Sequence, residues 1–434
     1  MQRVLVLDKN RQPLMPCHPA RARELLKHGK AAVFRRFPFT IILKDREGGV
    51  VQDTRTKLDP GSKTTGMALV ATFQRRGPTV VWAAELQHRG SKIREDLKAR
   101  RDLRHSRRSR KLRHRPARFQ NRTRKAGWLA PSLRHRVDTT MTWVKRLLRW
   151  APVTALSQEL VRFDTQKLQN PGIAGIEYQQ GTLAGYEVRE YLLEKWGRKC
   201  AYCGAENVPL EIDHIHPRSK GGSDRVSNLA IACRDCNQRK GNEALESFLV
   251  KSPDRIRKVL AQAKAPLRDA AAVNSTRWAL FNALKGTNLP VEVGTGGRTK
   301  WNRIQQGYGK EHWVDAACIG ESGSKVRIDS GADGKILQII SQGHGSRQMQ
   351  NVTEHGFPRG RAKSRQKIYF GFQTGDLVRA VVPSGKRAGT HVGRVLCRKS
   401  GRFDITTEQG RQGGIHHRHC RAIHIMDGYT YIFS

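Results

Sequence analysis

Two short-spaced cysteine pairs, Cys200 with Cys203 and Cys233 with Cys236, constrain this chain more than any other feature. Four thiolates in two Cys-x-x-Cys knuckles are the usual supply of a tetrahedral structural zinc site; four unrelated buried cysteines are the alternative. The stretch they bracket has too few apolar residues to close by itself, so the ion would staple a small unit. Within it lie Asp213, His214 and Asn228, with Asn237 just beyond the second pair. Asp213 and the side-chain carbonyl of Asn237 are hard oxygen donors of the kind that retain hydrated Mg²⁺. His214 carries an imidazole, a side chain suited to take a proton from an attacking water. Together they point to metal-assisted hydrolysis of a phosphodiester.

Charge indicates where such chemistry is aimed. Lys and Arg number 81 against 37 Asp and Glu, a net charge of +44. That excess goes far beyond solubility and implies a polyanionic partner. It is also concentrated, because Arg89 to Lys125 holds seventeen Lys or Arg and only three acids, Glu95, Asp96 and Asp102. From Ser91 to Arg115 there is neither Gly nor Pro, and the large apolar residues are Ile93, Leu97, Leu103 and Leu112. A helix this basic on every face cannot bury itself. It is read as a helix ordered by phosphates on several sides, with a disordered basic arm as the alternative. The candidate nucleic-acid contacts are Arg94, Lys98, Arg101, Arg104, Arg108, Lys111 and Arg115. No apolar run is long enough to span a membrane and MQRVLVLDKNRQPL lacks a signal-peptide pattern, so a reducing cytosol is expected, with Cys17, Cys318, Cys397 and Cys420 as free thiols.

Acidic residues form a second candidate centre. TRTKLDPGSKTTGMALVATF reads as a strand ending at Asp59, a Gly-bearing turn and another strand, and VTALSQELVRFD reads as a strand carrying Glu159. GKEHWVDAACIG places His312 and Asp315 at i, i+3 on one helical face. Brought together, three carboxylates and a histidine would hold two divalent ions about 4 Å apart for in-line attack. Spacing alone leaves their convergence open.

EIDHIHP, Asn228 and CRDCN resemble the HNH endonuclease family with its ββα-metal fold. That resemblance implies His214 as general base, Asp213 and Asn237 as ligands of one Mg²⁺, and Asn228 as the residue that orients His214. Asn237 stands where the family often has His. DPGSKTTG, the arginine-rich stretch, SQELVRFDTQKLQNP with EYQQGTL, the inserted HNH unit and HWVDAA then follow in an order that resembles the IscB family of transposon-encoded RNA-guided DNA endonucleases, relatives of the CRISPR type II effectors. The likeness covers essentially the whole chain and includes a PLMP segment at Pro13, Leu14, Met15 and Pro16.

What the resemblance implies is an α/β multidomain protein: a split RNase H-like (RuvC) domain with an inserted HNH domain, an arginine-rich bridge helix and a small carboxy-terminal β-rich domain. The expected divisions are a PLMP unit at 1–50, RuvC-like parts at 51–88, 126–180 with a linker and 251–320, the bridge helix at 89–125, the HNH unit with its zinc knuckles at 181–250, and the β-rich domain at 321–434. Asp59, Glu159, His312 and Asp315 would form the RuvC-like site with two Mg²⁺, beside one Mg²⁺ in the HNH site and the structural Zn²⁺. A guide RNA (omega RNA) would pair with the target strand of double-stranded DNA, HNH would cut that strand and the RuvC-like site the other. The carboxy-terminal domain would read a short target-adjacent motif. A monomeric ribonucleoprotein in the prokaryotic cytoplasm, at the nucleoid and encoded beside a transposase, completes the expectation, with no membrane partner. Two other readings remain: a protein-guided HNH endonuclease of homing or resolvase type that binds DNA through its basic helix, and a non-cutting RNA-binding module. Within 251–434, PVEVGTGGRTKWNRI is expected to be a strand and the Gly-rich tail a small antiparallel barrel or sheet.

Overall fold

The computed structural model describes residues 2–109, 128–160, 189, 192, 193, 195–264, 270–329, 335–343, 349–355, 357–362 and 366–433. Its first sheet has the order β2-β1-β4-β3, with β1 (Val4–Leu7), β2 (Pro13–Cys17), α1 (Pro19–Lys27), β3 (Ala31–Arg35) and β4 (Thr40–Leu43). β1 reads VLVL and is buried on both sides. Val4 and Val6 enter a small core with Leu14, Ile41 and Leu43, whereas Leu5 and Leu7 enter the main core of the molecule. A strand whose alternate side chains serve two cores makes the amino-terminal unit a layer of the main body.

The chain continues through β5 (Thr54–Pro60), β6 (Thr64–Phe73), β7 (Gly77–Gln87), α2 (Gly90–Ser109), α3 (Pro131–Trp150) and β8 (Ala155–Glu159). Next come β9 (Leu210–His214), β10 (Leu229–Cys233), α4 (Arg234–Lys240), α5 (Leu245–Phe248) and α6 (Pro253–Lys264). They are followed by α7 (Ala270–Lys285), β11 (Val291–Gly294), α8 (Gly296–Gln305), α9 (His312–Ala317) and β12 (Leu337–Ser341). Two short hairpins, β13 (Asn351–Val352) with β14 (Pro358–Arg359) and β15 (Ile368–Tyr369) with β16 (Phe372–Gln373), precede β17 (Leu377–Val382), β18 (Gly389–Leu396), β19 (Arg402–Thr407), β20 (Gly410–His416), β21 (Cys420–His424) and β22 (Tyr429–Phe433).

A seven-stranded sheet, in the order β11-β8-β5-β6-β7-β12-β22, is the frame of the molecule. β5, β6 and β7 are an antiparallel meander, and β8 and then β11 extend it in parallel from β5. Strand periodicity divides the work of its faces. Leu58, Met67 and Leu69 pack with Trp143, Val144 and Leu147 of α3 and with Leu280 and Leu284 of α7, while Ala68 and Val70 pack under Ala316 and Ala317 of α9.

Three expected boundaries are corrected by this packing. The tail does not separate at residue 320: β12 pairs parallel with β7 and β22 antiparallel with β12, so Leu337, Ile339 and Tyr429 belong to the main core. Among the described residues of the tail, the five-stranded antiparallel sheet, β20-β19-β18-β17-β21, is the part with a core of its own. The HNH unit does not end at 250, because Val259 and Ala263 of α6 are buried with Leu210, Ile231 and Cys236 in one core. Lys195, buried at the far side of that core, donates to the carbonyls of Val226 (3.3 Å) and Ala263 (2.6 Å), which joins the entry and exit of the unit. Finally, the segment expected as one strand from Pro290 is a strand only to Gly294. Thr295 then caps a helix by accepting from Arg298 N (3.3 Å), and Thr299, Asn302 and Arg303 supply its buried face. Residues 161–188, which hold the end of the expected second RuvC-like part and its linker, lie outside the described residues.

The last strand is fastened to the first sheet by one carboxylate. Asp427 Oδ2 meets Arg35 Nη2 at 2.6 Å and Arg146 Nη1 at 3.0 Å, and accepts from the Tyr431 hydroxyl at 2.5 Å. Phe37 stacks on Tyr431 beside it (4.7 Å between centroids). Burial alone would raise the Asp427 carboxyl, but His424, Tyr431 and Arg146 bring it down to about 2 from an ordinary 3.8. Its folded value is the depressed one, so its stabilisation is complete above the ordinary value and is lost as pH falls toward the folded one. We predict that Asp427→Ala, which strands two guanidinium groups, lowers unfolding free energy by about 2–4 kcal/mol at pH 7. In urea titrations the gap to wild type should narrow between about pH 4 and pH 2.

Candidate active sites

Asp59 ends the run Lys57-Leu58-Asp59 on β5, so Lys57 and Asp59 share the face covered by α9 while Leu58 enters the main core. Glu159 ends the neighbouring parallel strand β8 on that same face. α9 crosses these strand ends and carries His312 and Asp315. His312 Nδ1 lies 3.5 Å from Asp59 Oδ2. Burial, with the Asp59 carboxylate beside it, pushes Glu159 far above the usual carboxylate range despite Arg277. The same two causes raise Asp315, against the pull of Arg303. The hydrogen bond to Asp59 raises His312. The four residues expected to converge thus form one electrostatically coupled group with an excess of negative charge in a buried place.

Two arginines already answer part of that charge. Arg277 of α7 reaches over the strand ends, placing Nη2 3.1 Å from Glu159 Oε1 and Nε 3.1 Å from the Pro60 carbonyl. Arg303 of α8 places Nε 2.7 Å from Asp315 Oδ1. Both are more than nine-tenths buried. Neither was predicted, since a single arginine in a chain with 81 cations carries no signal of its own.

α9 is held close to the sheet from several sides. Lys57 Nζ donates to the Ile319 carbonyl (2.9 Å), and burial pulls its pKa down to about 8. Asn302 Nδ2 donates to the carbonyls of Cys318 (2.8 Å) and Gly320 (2.7 Å). Opposite Asp59 in the ladder stands Gly66, where a Cβ would fall 1.8 Å from the His312 carbonyl oxygen. No side chain fits there, so glycine sets the separation between helix and sheet.

In the inserted unit, the four sulfurs of Cys200, Cys203, Cys233 and Cys236 lie within 4.8 Å of one another, and Cys203 Sγ is 3.7 Å from Cys233 Sγ. Sulfurs bound to zinc at about 2.3 Å in a tetrahedron lie about 3.8 Å apart, so the donor set fits Zn²⁺. Among the described residues this is the only such group of His, Cys, Asp or Glu donors.

β9 and β10 form an antiparallel ribbon under α4, with His214 opposite Leu229. Asp213 is buried, accepts from the Tyr202 hydroxyl, and pairs with Lys240 Nζ at 3.1 Å. Lys240, buried as well, also donates to the His214 carbonyl (2.7 Å). Two residues before Asp213, Glu211 Oε2 accepts from Asn237 Nδ2 (2.8 Å). Expected ligands Asp213 and Asn237 are thus each engaged by a neighbour that sequence reading missed. Asn228 corrects a further expectation: its side chain does not hold the His214 ring. It bonds the backbone of His216 and Ser223, and the ring meets Asp224, with Nε2 2.8 Å from Oδ1.

α2 is helical through Ser109, and Arg94, Lys98, Arg101 and Arg104 are exposed along it, as are Leu97 and Leu103. The side chain of Arg108, and Lys111 and Arg115 altogether, lie outside the described residues. No described helix is long and apolar enough to cross a membrane.

Residues 200–243 match the HNH endonuclease family, and residues 4–181 match a family described as RRXRR protein. The first gives the chain a nuclease unit and with it a reaction class, phosphodiester hydrolysis, for which the family depends on metal. No curated protein matches. Among solved structures, Streptococcus thermophilus Cas9 in complex with the GGAA PAM is similar at 15% identity and a TM-score of 0.24, covering 61% of this chain and 32% of that one. The Type II-C Cas9 enzyme from Actinomyces naeslundii is similar at 14% identity and a TM-score of 0.23, covering 62% of this chain and 59% of that one. The chain therefore spans about a third to three-fifths of the length of these proteins.

We predict that Gly66→Ala pushes α9 off the sheet, separating His312 and Asp315 from Asp59. Urea titration should show a stability cost of about 1–3 kcal/mol.

Proposed function

We propose that this chain is an RNA-guided double-stranded DNA endonuclease with two metal centres, the inserted HNH unit cutting the guide-paired strand and the acid centre cutting the displaced strand. The observation that supports this most is the coupled group Asp59, Glu159, His312 and Asp315, with a separate HNH unit threaded between Glu159 and His312. The strand order, an antiparallel meander extended by two parallel strands, agrees with an RNase H-like domain split into three sequence parts. The long basic helix α2, exposed on its faces, fits a grip on guide RNA phosphates. The five-stranded carboxy-terminal sheet is our candidate for reading a target-adjacent motif, and the order of segments in the sequence, which resembles that of the IscB family, supports this reading.

At the acid centre, Asp59, Glu159 and Asp315 would hold two Mg²⁺. Excess negative charge buried with only partial relief from arginines is the environment that favours divalent cations. Asp213 and the Asn237 carbonyl would hold the HNH ion, with Glu211 beside them, and the four cysteines the structural zinc. Bound Mg²⁺ supplies an acidified water and stabilises charge on the scissile phosphate. His214 takes the proton from the attacking water at one centre, and His312 is placed to orient or deprotonate it at the other. Asp59 holds the His312 ring, and Arg303 holds Asp315 over the strand ends.

Strand-labelled duplex tests this division. His214→Ala should leave cutting of the displaced strand alone and Asp59→Ala cutting of the paired strand alone, each variant losing its own cut by roughly 10³-fold or more. Either variant cutting both strands at wild-type rates would refute the assignment.

A further inference from the structure

His214 closes β9, and its ring turns into the loop that leads to β10. There Nε2 sits 2.8 Å from Asp224 Oδ1. Asp224 is half exposed, and the hydrogen bond to His214 holds its carboxyl below the usual range, so it is an ionised acceptor. An ionised carboxylate only accepts; the proton of that bond therefore resides on Nε2, and in the neutral imidazole Nδ1 is the nitrogen with the free lone pair.

The loop is built to keep Asp224 in this place. Asn228 Nδ2 donates to the carbonyls of Ser223 (2.9 Å) and His216 (3.0 Å), and its Oδ1 accepts from His216 N (2.9 Å), which ties the residue before Asp224 to the chain just after His214. Gly222 permits the close approach, since a Cβ there would fall 1.9 Å from the His216 carbonyl oxygen. Arg218 Nη2 lies 3.5 Å from the second Asp224 oxygen, and Lys240 fixes the His214 carbonyl from behind (2.7 Å).

We propose that Asp224 is a positioning residue of the HNH centre, fixing the Nε2–H tautomer and the aim of the His214 ring so that Nδ1 faces the attacking water. The inference rests on the reading of His214 as general base. Nδ1 takes the water proton as the water oxygen bonds to phosphorus. The phosphorus–oxygen bond to the leaving group breaks, and the departing oxygen takes its proton from solvent. Asp224 stabilises the imidazolium meanwhile. Asn228, which orients neither ring nitrogen directly, acts here by holding Asp224.

The test uses the full chain loaded with guide RNA, on duplex labelled on each strand, under single-turnover conditions. Asp224→Ala should slow the His214-dependent cut by roughly 10- to 100-fold, with the half-saturating DNA concentration unchanged. Asp224→Glu should recover part of the rate, and the other strand should be cut as by wild type. The imidazole ¹⁵N spectrum should show His214 as the Nε2–H tautomer, becoming a mixture in Asp224→Ala. A wild-type rate, an unaltered tautomer, or equal loss on both strands in Asp224→Ala would overturn the proposal. If His214→Ala abolishes neither cut, the general-base reading has failed instead, and the tautomer shift still decides whether Asp224 sets the ring.

Discussion

Carboxylates that the fold forces together are the constraint on which this molecule is organised. Asp59 and Glu159 lie at the ends of adjacent parallel strands, and α9 delivers Asp315 over them. Burial, with the Asp59 charge beside them, raises Glu159 and Asp315 toward protonation, and nearby cations oppose this. Arg277 and Arg303 do this in part. Packing elsewhere fixes the geometry of this group: Gly66 sets the height of α9, and Lys57 and Asn302 pin the chain that follows it.

The inserted unit is organised by the opposite device. Its core is small, and four cysteine sulfurs placed for one tetrahedral ion close it. Its acid, Asp213, is not crowded by other acids but neutralised by a buried lysine, and its histidine is steered by an aspartate from a loop. One centre therefore sets three carboxylates side by side, met by Arg277, Arg303 and His312, while the other pairs a single buried acid with a lysine. α2 presents an exposed basic surface that none of the described cores covers. Such a surface favours a polyanionic partner.

Patterned features were legible in the sequence. Cysteine spacing, a carboxylate at a strand end, an i, i+3 pair on a helix and an unbroken run of cations each carry a physical signature in few residues. Isolated partners were not: Arg277, Arg303, Lys240, Glu211 and Asp224 act from elements remote in sequence, and nothing local distinguishes them from surface charge. The helix at 296–305 was hidden by its two opening glycines, although Thr295 before them is an ordinary cap. β12 and β22 look like any short alternating strands, and only pairing with β7 reveals that the main sheet extends through them. Likewise α6 declares its place only through Val259 and Ala263, buried against the zinc unit.

On the proposed reading, bound RNA, rather than the protein surface, chooses where two separate centres cut. Replacing the guide segment of that RNA and mapping cleavage of a duplex that contains both the old and the new complementary sequence tests this most directly. Both strands should be cut at the new sequence, and cutting at the old one should stop. Continued cutting at the old sequence, or at any fixed site by protein stripped of RNA, would contradict it.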